Sequence, residues 1–191
     1  SQTGNEAELA ALAKHPSRAI RMASVLALRR MASPSLIHFF FDDVSEIADE
    51  AIRAVHDLPI EKSRPAVAAL LDEYAPEQRG RPLSRMLLRR ILHSAFRMGG
   101  DQNATRLLRF SSNTEMPLRA RMEALRLLAD WVDPPPIDQS LGRYAPLPPR
   151  EKSSIKSSLN RELPHLLSLK DEISEAAMNL AKQYDVEVKA P

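Results

Sequence analysis

Two stretches decide the fold: Ile20-Arg21-Met22-Ala23-Ser24-Val25-Leu26-Ala27-Leu28-Arg29-Arg30-Met31 and Ile47-Ala48-Asp49-Glu50-Ala51-Ile52-Arg53-Ala54-Val55-His56-Asp57-Leu58. Each sets aliphatic and small residues along one stripe at the three- and four-residue spacing of an amphipathic helix. Looser copies run from Leu118 to Leu128 and from Ile173 to Tyr184. A helix with such a stripe cannot bury it alone and must stack on neighbours built the same way. The recurrence predicts an all-α chain, arranged as a right-handed α-solenoid of about 4–5 degenerate helix pairs. The other reading of the same pattern is an irregular helical bundle.

Proline falls between the apolar-periodic segments, where its fixed φ and missing N–H suit first turns and break interiors. Ser33-Pro34 reads as an N-cap followed by Pro at the first helical position. Asp43-Val44-Ser45-Glu46 and Ser168-Leu169-Lys170-Asp171 read as capping boxes. Helices are expected over Glu6–Lys14, Ser17–Met31, Ser35–Phe41, Ser45–Leu58, Arg64–Glu73, Ser84–Met98, Asn103–Phe110, Pro117–Trp131, Glu151–Asn160, Leu163–Leu167 and Asp171–Tyr184. The repeat spacing is uneven: Ile20 and Ile47 lie 27 residues apart, Leu118 and Ile173 lie 55 apart. The long interval holds residues 133–150, read as an ordered Pro-rich insertion in an otherwise single segment spanning residues 1–191. Trp131, Ile137, Leu141, Tyr144 and Leu147 are its expected anchors, and a polyproline ligand for an aromatic groove is the other use of such a stretch.

With 43% hydrophobic and 27% charged residues the composition is that of a globular chain, not a disordered one. No run approaches the roughly 18 apolar residues of a membrane span, and no signal peptide is recognisable. The chain starts Ser1-Gln2-Thr3 and ends Lys189-Ala190-Pro191, which suggests a segment of a longer protein. Cysteine is absent, which excludes disulfides, thiolate nucleophiles and thiolate zinc sites within these residues.

The net charge of +2 is unevenly spread. Residues 79–126 hold 11 Arg, no Lys and only Asp101, Glu115 and Glu123 as acids, a local +8 between mildly acidic ends. Arg79, Arg81, Arg85, Arg89, Arg90, Arg97, Arg106, Arg109, Arg119, Arg121 and Arg126 either form an anion-binding stripe or pair with acids on neighbouring helices. His15, His38, His56, His93 and His165 show no i, i+4 pair of the kind that binds zinc on a helix. The acidic cluster Asp42, Asp43, Glu46, Asp49 and Glu50 lacks the Gly-containing loop of a calcium site and reads as a cap at a helix start. There is no Gly-rich phosphate loop and no Gly-x-Ser-x-Gly elbow. No cofactor, metal or catalytic residue is expected in this segment.

Pro117-Leu118-Arg119 leading to Ala124-Leu125, and Ile20-Arg21 leading to Ala27-Leu28, resemble the second helix of HEAT repeats. The copy over Ser84–Met98 departs from that pattern where Arg89-Arg90 takes the small-residue positions. The stretch from Arg121 to Trp131 followed by the insertion is similar to the HEAT segment of large secreted bacterial dehydrogenase-like proteins. In those, a sorbosone-dehydrogenase-like β-propeller precedes the repeats and a cytochrome c-type domain follows. That resemblance implies export to the periplasm or beyond, and a scaffold between a redox domain and its electron acceptor. It also implies that haem and propeller residues lie elsewhere in the parent, since no Cys-x-x-Cys-His occurs here.

The expected function is a non-catalytic scaffold or protein-interaction module whose partners are proteins or neighbouring domains of the same polypeptide, not membranes. Its partner-facing side chains are expected on the second helices: Arg21, Arg29, Arg53, Arg89, Arg119 and Arg126. The alternative is nucleic-acid binding by the Arg-rich 79–126 region, as in the HEAT-like bacterial alkylpurine DNA glycosylases, with Asp130 and Trp131 as the adjacent acid and aromatic that base removal would require.

Overall fold

The computed structural model describes residues 2–58, 60–72 and 83–187. Within them the protein is all-α apart from one two-stranded ribbon. The helices are α1 (Gln2–Ala11), α2 (Arg18–Arg30), α3 (Ser45–Asp57), α4 (Arg64–Ala69), α5 (Arg85–Met98), α6 (Gly100–Ser112), α7 (Leu118–Ala129), α8 (Ser153–Ser168) and α9 (Glu172–Gln183). Strands β1 (Ile137–Asp138) and β2 (Arg143–Tyr144) pair antiparallel, Ile137 opposite Tyr144. The helix expected to run from Arg64 to Glu73 ends at Ala69, with residues 70–72 in a turn, and Glu73, Arg79 and Arg81 lie outside the described residues.

The chain divides into two compact units, Ser1–Val67 and Ala68–Pro191. In the first, α2 and α3 pack on one another and on the segment Pro34–Phe39. Val25, Leu28, Leu36, Phe39, Ile47, Ala51, Ile52 and Val55 are buried there. In the second, α5, α6, α7, α8 and α9 surround a core that includes Leu92, Leu107, Leu108, Leu128, Trp131, Ile155, Leu166 and Tyr184. On α3 the stripe Ile47, Ala51, Ile52 and Val55 is buried as expected, but on α2 only Val25 and Leu28 of the stripe are buried and Ile20 is exposed, as is Leu118 at the start of α7.

Several boundaries depart from expectation for identifiable reasons. Pro34–Phe39 is a 3₁₀ helix, a tighter form suited to a short connector, and Ser33 caps it by accepting from the Ser35 N–H at 3.0 Å. Neither capping box forms as drawn. Asp42 and Asp43 both accept from the Val44 N–H instead. Ser168 turns back to His165 within α8, and the cap of α9 is Asp171, which accepts from the N–H groups of Ile173 and Ser174.

The two short helices expected around Pro164 are one helix, α8. Pro164 has no N–H to donate to the Asn160 carbonyl, and both residues lie on the exposed side of the helix, where that carbonyl is open to solvent. At the other extreme, Gly99 and Gly100, with φ of +67° and +80°, turn α5 directly into α6. Positive φ is a conformation only glycine adopts without strain.

The insertion is held by charge together with two of its expected apolar anchors. Trp131 is wholly buried, and Leu147 packs against the core, but Ile137 and Tyr144 are exposed. As cross-strand neighbours these two share the outer side of the ribbon, so alternation turns Asp138 inward. Asp138 is buried 3.3 Å from Arg97 of α5. One of its oxygens also gathers the loop, accepting from the N–H groups of Ser140 and Leu141, and Gly142 closes the turn at φ +67°.

Candidate interaction surface

The sequence-predicted arginines meet different fates. Arg21, at the start of α2, is buried. Its Nε donates to Asp42 at 2.7 Å, its Nη2 to Asp42 and Asp43, and its Nη1 to the His15 carbonyl. Burial would raise the Asp42 carboxyl, but hydrogen bonds from Arg21 and the Val44 N–H outweigh it and hold the group below its usual range. This guanidinium ties the turn before α2 to the turn before α3.

Arg29 and Arg53 are brought together by Glu50 of α3, which bonds Arg29 from the preceding helix and Arg53 one turn along its own. The second unit repeats the arrangement. Glu123 of α7 sits 3.4 Å from Arg89 of α5 and 2.9 Å from Arg126 three residues on. It adds His93 of α5, whose ring Nε2 donates to it at 3.0 Å. The His93 hydrogen bond, with those from Arg126, lowers the Glu123 carboxyl far below the ordinary glutamate value against the opposing effect of burial. Asp130, next to Arg126, moves the other way, raised first by burial and also by the Glu123 charge.

The basic island is largely neutralised in space. Arg97 meets Asp138, Arg106 meets Asp72, Arg109 meets Glu162 and Arg121 approaches Asp171. All four acids lie outside residues 79–126, so the charge that looks segregated along the chain is matched across helices. Arg90 donates to the Met86 carbonyl, while Arg85 and Arg119 are exposed and no carboxylate among the described residues pairs with them.

Asp130 and Trp131 do not form the pair that base removal would need. Trp131 lies inside the core with its ring edge-on to Phe96 at 5.9 Å, and its Nε1 donates to Ser154. Asp130 bonds Arg126. An aromatic ring locked in the core cannot stack on a flipped base. An open groove of about 830 Å³ in the first unit is floored by Ala7, Ala10 and Ala11 and walled by the Arg21–Asp42 pair. Those two charged groups satisfy one another, and Lys14, His15 and His38 also line it. Among the described residues no group of three or more His, Asp and Glu side chains is placed to hold a metal. Nor is any helix among them long and apolar enough to cross a membrane.

These features define a helical protein whose charged side chains mostly knit helix to helix. Comparison with protein-family models, with curated proteins and with solved structures returns no match.

Proposed function

We propose that the chain is a non-catalytic scaffold or interaction module, a right-handed α-solenoid of about 4–5 degenerate HEAT-like helix pairs. The observation that carries this reading is the repeated clamp, Arg29–Glu50–Arg53 and Arg89–Glu123–Arg126. In each, a glutamate on one helix bonds an arginine one turn ahead on its own helix and lies beside an arginine of a preceding helix, hydrogen-bonded to it at Arg29 and 3.4 Å from it at Arg89. A side-chain interaction that recurs with the helices is what a stack of equivalent units produces, and what an irregular bundle has no reason to repeat. Such a stack offers its partners a rigid surface without an active site. On the resemblance of the Trp131–Arg150 stretch, the module belongs to a larger exported dehydrogenase-like protein and positions its neighbouring domains.

Small-angle scattering of the purified chain tests the architecture. A stacked array scatters as an elongated, curved particle. A radius of gyration of roughly 16 Å, the value for a compact globule of this length, overturns the solenoid. The dehydrogenase context is tested by the surrounding reading frame, which should encode a propeller on one side and Cys-x-x-Cys-His on the other.

A further inference from the structure

The amino-terminal ends of α5 and α7 carry charge and apolar surface that remain exposed among the described residues. The two helices run parallel, since Arg89 and His93 meet Glu123 while Phe96 meets Trp131 further along both. Extending those contacts back one or two turns sets the start of α5 level with the start of α7. Arg85 lies one turn before Arg89 on the same stripe, and Arg119 one turn before Glu123. Met86, two turns before His93, shares the stripe of α5 that faces α7. Met86 is 54% exposed, and Leu118, beside Arg119, is 41% exposed.

The neighbouring arginines are already engaged: Arg89 and Arg126 by Glu123, Arg121 by Asp171 and the Ser111 carbonyl. Arg85 and Arg119 therefore stand out as two exposed positive groups beside an apolar side chain, with no carboxylate among the described residues paired to them. The helix amino termini add a positive field of the same sign.

We propose that this corner docks an acidic peptide segment, with carboxylates on Arg85 and Arg119 and an aliphatic side chain between them on Met86. The occupant follows from charge complementarity combined with the exposed methionine, a soft side chain suited to varied apolar contacts. A nucleic-acid backbone would use the two arginines and leave Met86 and Leu118 unmatched. Arg89, Arg97, Arg106, Arg109, Arg121 and Arg126 are each beside a carboxylate, so these six do not offer the extended phosphate-binding track that duplex affinity requires. The inference rests on the interaction-module reading and names the chemistry of its partner.

The test titrates the full chain into a short fluorescent peptide alternating Glu with Leu, at about 50 mM salt, with a Gln-for-Glu peptide and a short DNA duplex as competitors. Amide NMR maps the bound site. Expected are saturable binding of the Glu–Leu peptide, shifts centred on residues 85–90 and 118–123, and about a tenfold weakening by R85E or R119E, each checked for folding by circular dichroism. M86S should weaken the Glu–Leu peptide while leaving an all-Glu peptide unchanged. No binding, parent-like affinity in both R85E and R119E, or displacement by the duplex but not by unlabelled peptide each overturns the proposal. Peptide shifts confined to α2 and α3 also overturn it, yet leave the interaction-module reading standing. A compact scattering profile alongside binding at the corner does the reverse.

Discussion

The guanidinium carbon of Arg150 lies 4.5 Å from the ring centroid of Trp131. The same group sits 4.9 Å from the Phe96 ring, and its Nη2 donates to the Phe96 carbonyl at 2.6 Å. Arg150 thus closes the far end of the insertion onto the ends of both α5 and α7, and burial lowers its pKa, reinforced by the neighbouring Arg97 charge. Removing it should cost about 2–3 kcal/mol, from about 1 for the ring contacts and 1–2 for carbonyls left without a charged donor. Urea unfolding of Arg150→Met measures this. Arg150→Lys should recover less than half, because an ammonium cannot lie flat between two rings. An Arg150→Met stability within about 0.5 kcal/mol of the parent would show that the insertion is held elsewhere.

Gly99 is the complementary partner. A Cβ placed there meets Arg150 Nε at 3.0 Å and is strained by φ of +67°. Gly99→Ala should therefore destabilise by about 1–3 kcal/mol. In an Arg150→Met background the steric part vanishes, so the double variant should lose less than the sum of the two single losses. Strict additivity would mean that only the backbone strain matters.

Glu123 gives a pH signature with a definite sign. Its pKa is lowered on folding, so its contribution to stability is full above the unfolded value of about 4.5 and is lost as pH falls towards the lower folded value. The groups facing it are His93, Arg89 and Arg126, with Asp130 nearby. Glu123→Gln should be less stable than the parent at pH 7, and the gap should close progressively below about pH 4.5. Denaturant midpoints measured down that range decide it. A gap independent of pH would mean that Glu123 acts by shape and not by charge.

Much of the fold is legible because it is local. Ile47, Ala51, Ile52 and Val55 announce a buried stripe, and Gly99-Gly100 announces a stop. What hides is pairing between distant residues. Arg97 looks like part of a basic stripe until Asp138 arrives from beyond α7, and Arg106 until Asp72 does. The exposed apolar pair Ile137 and Tyr144 looked like anchors because a two-residue strand gives no alternation to read. Of the candidate arginines, composition could not separate the buried Arg21 from the exposed Arg119, since burial depends on acids brought near by the fold.

Asp171 serves two elements at once. It caps α9 and approaches the buried Arg121 at 3.5 Å, while the Nε of that arginine donates to Ser111 at the end of α6. Asp171→Ala removes a cap, worth about 1 kcal/mol, and leaves a buried guanidinium without its counter-charge, a loss of about 1–3 kcal/mol more at this half-exposed carboxylate. Asp171→Asn keeps a good capping side chain and removes only the charge. The two variants therefore separate the roles in a single chemical-denaturation experiment. Equal losses would assign the whole effect to the Arg121 pairing, and no loss in Asp171→Asn would assign it to the cap.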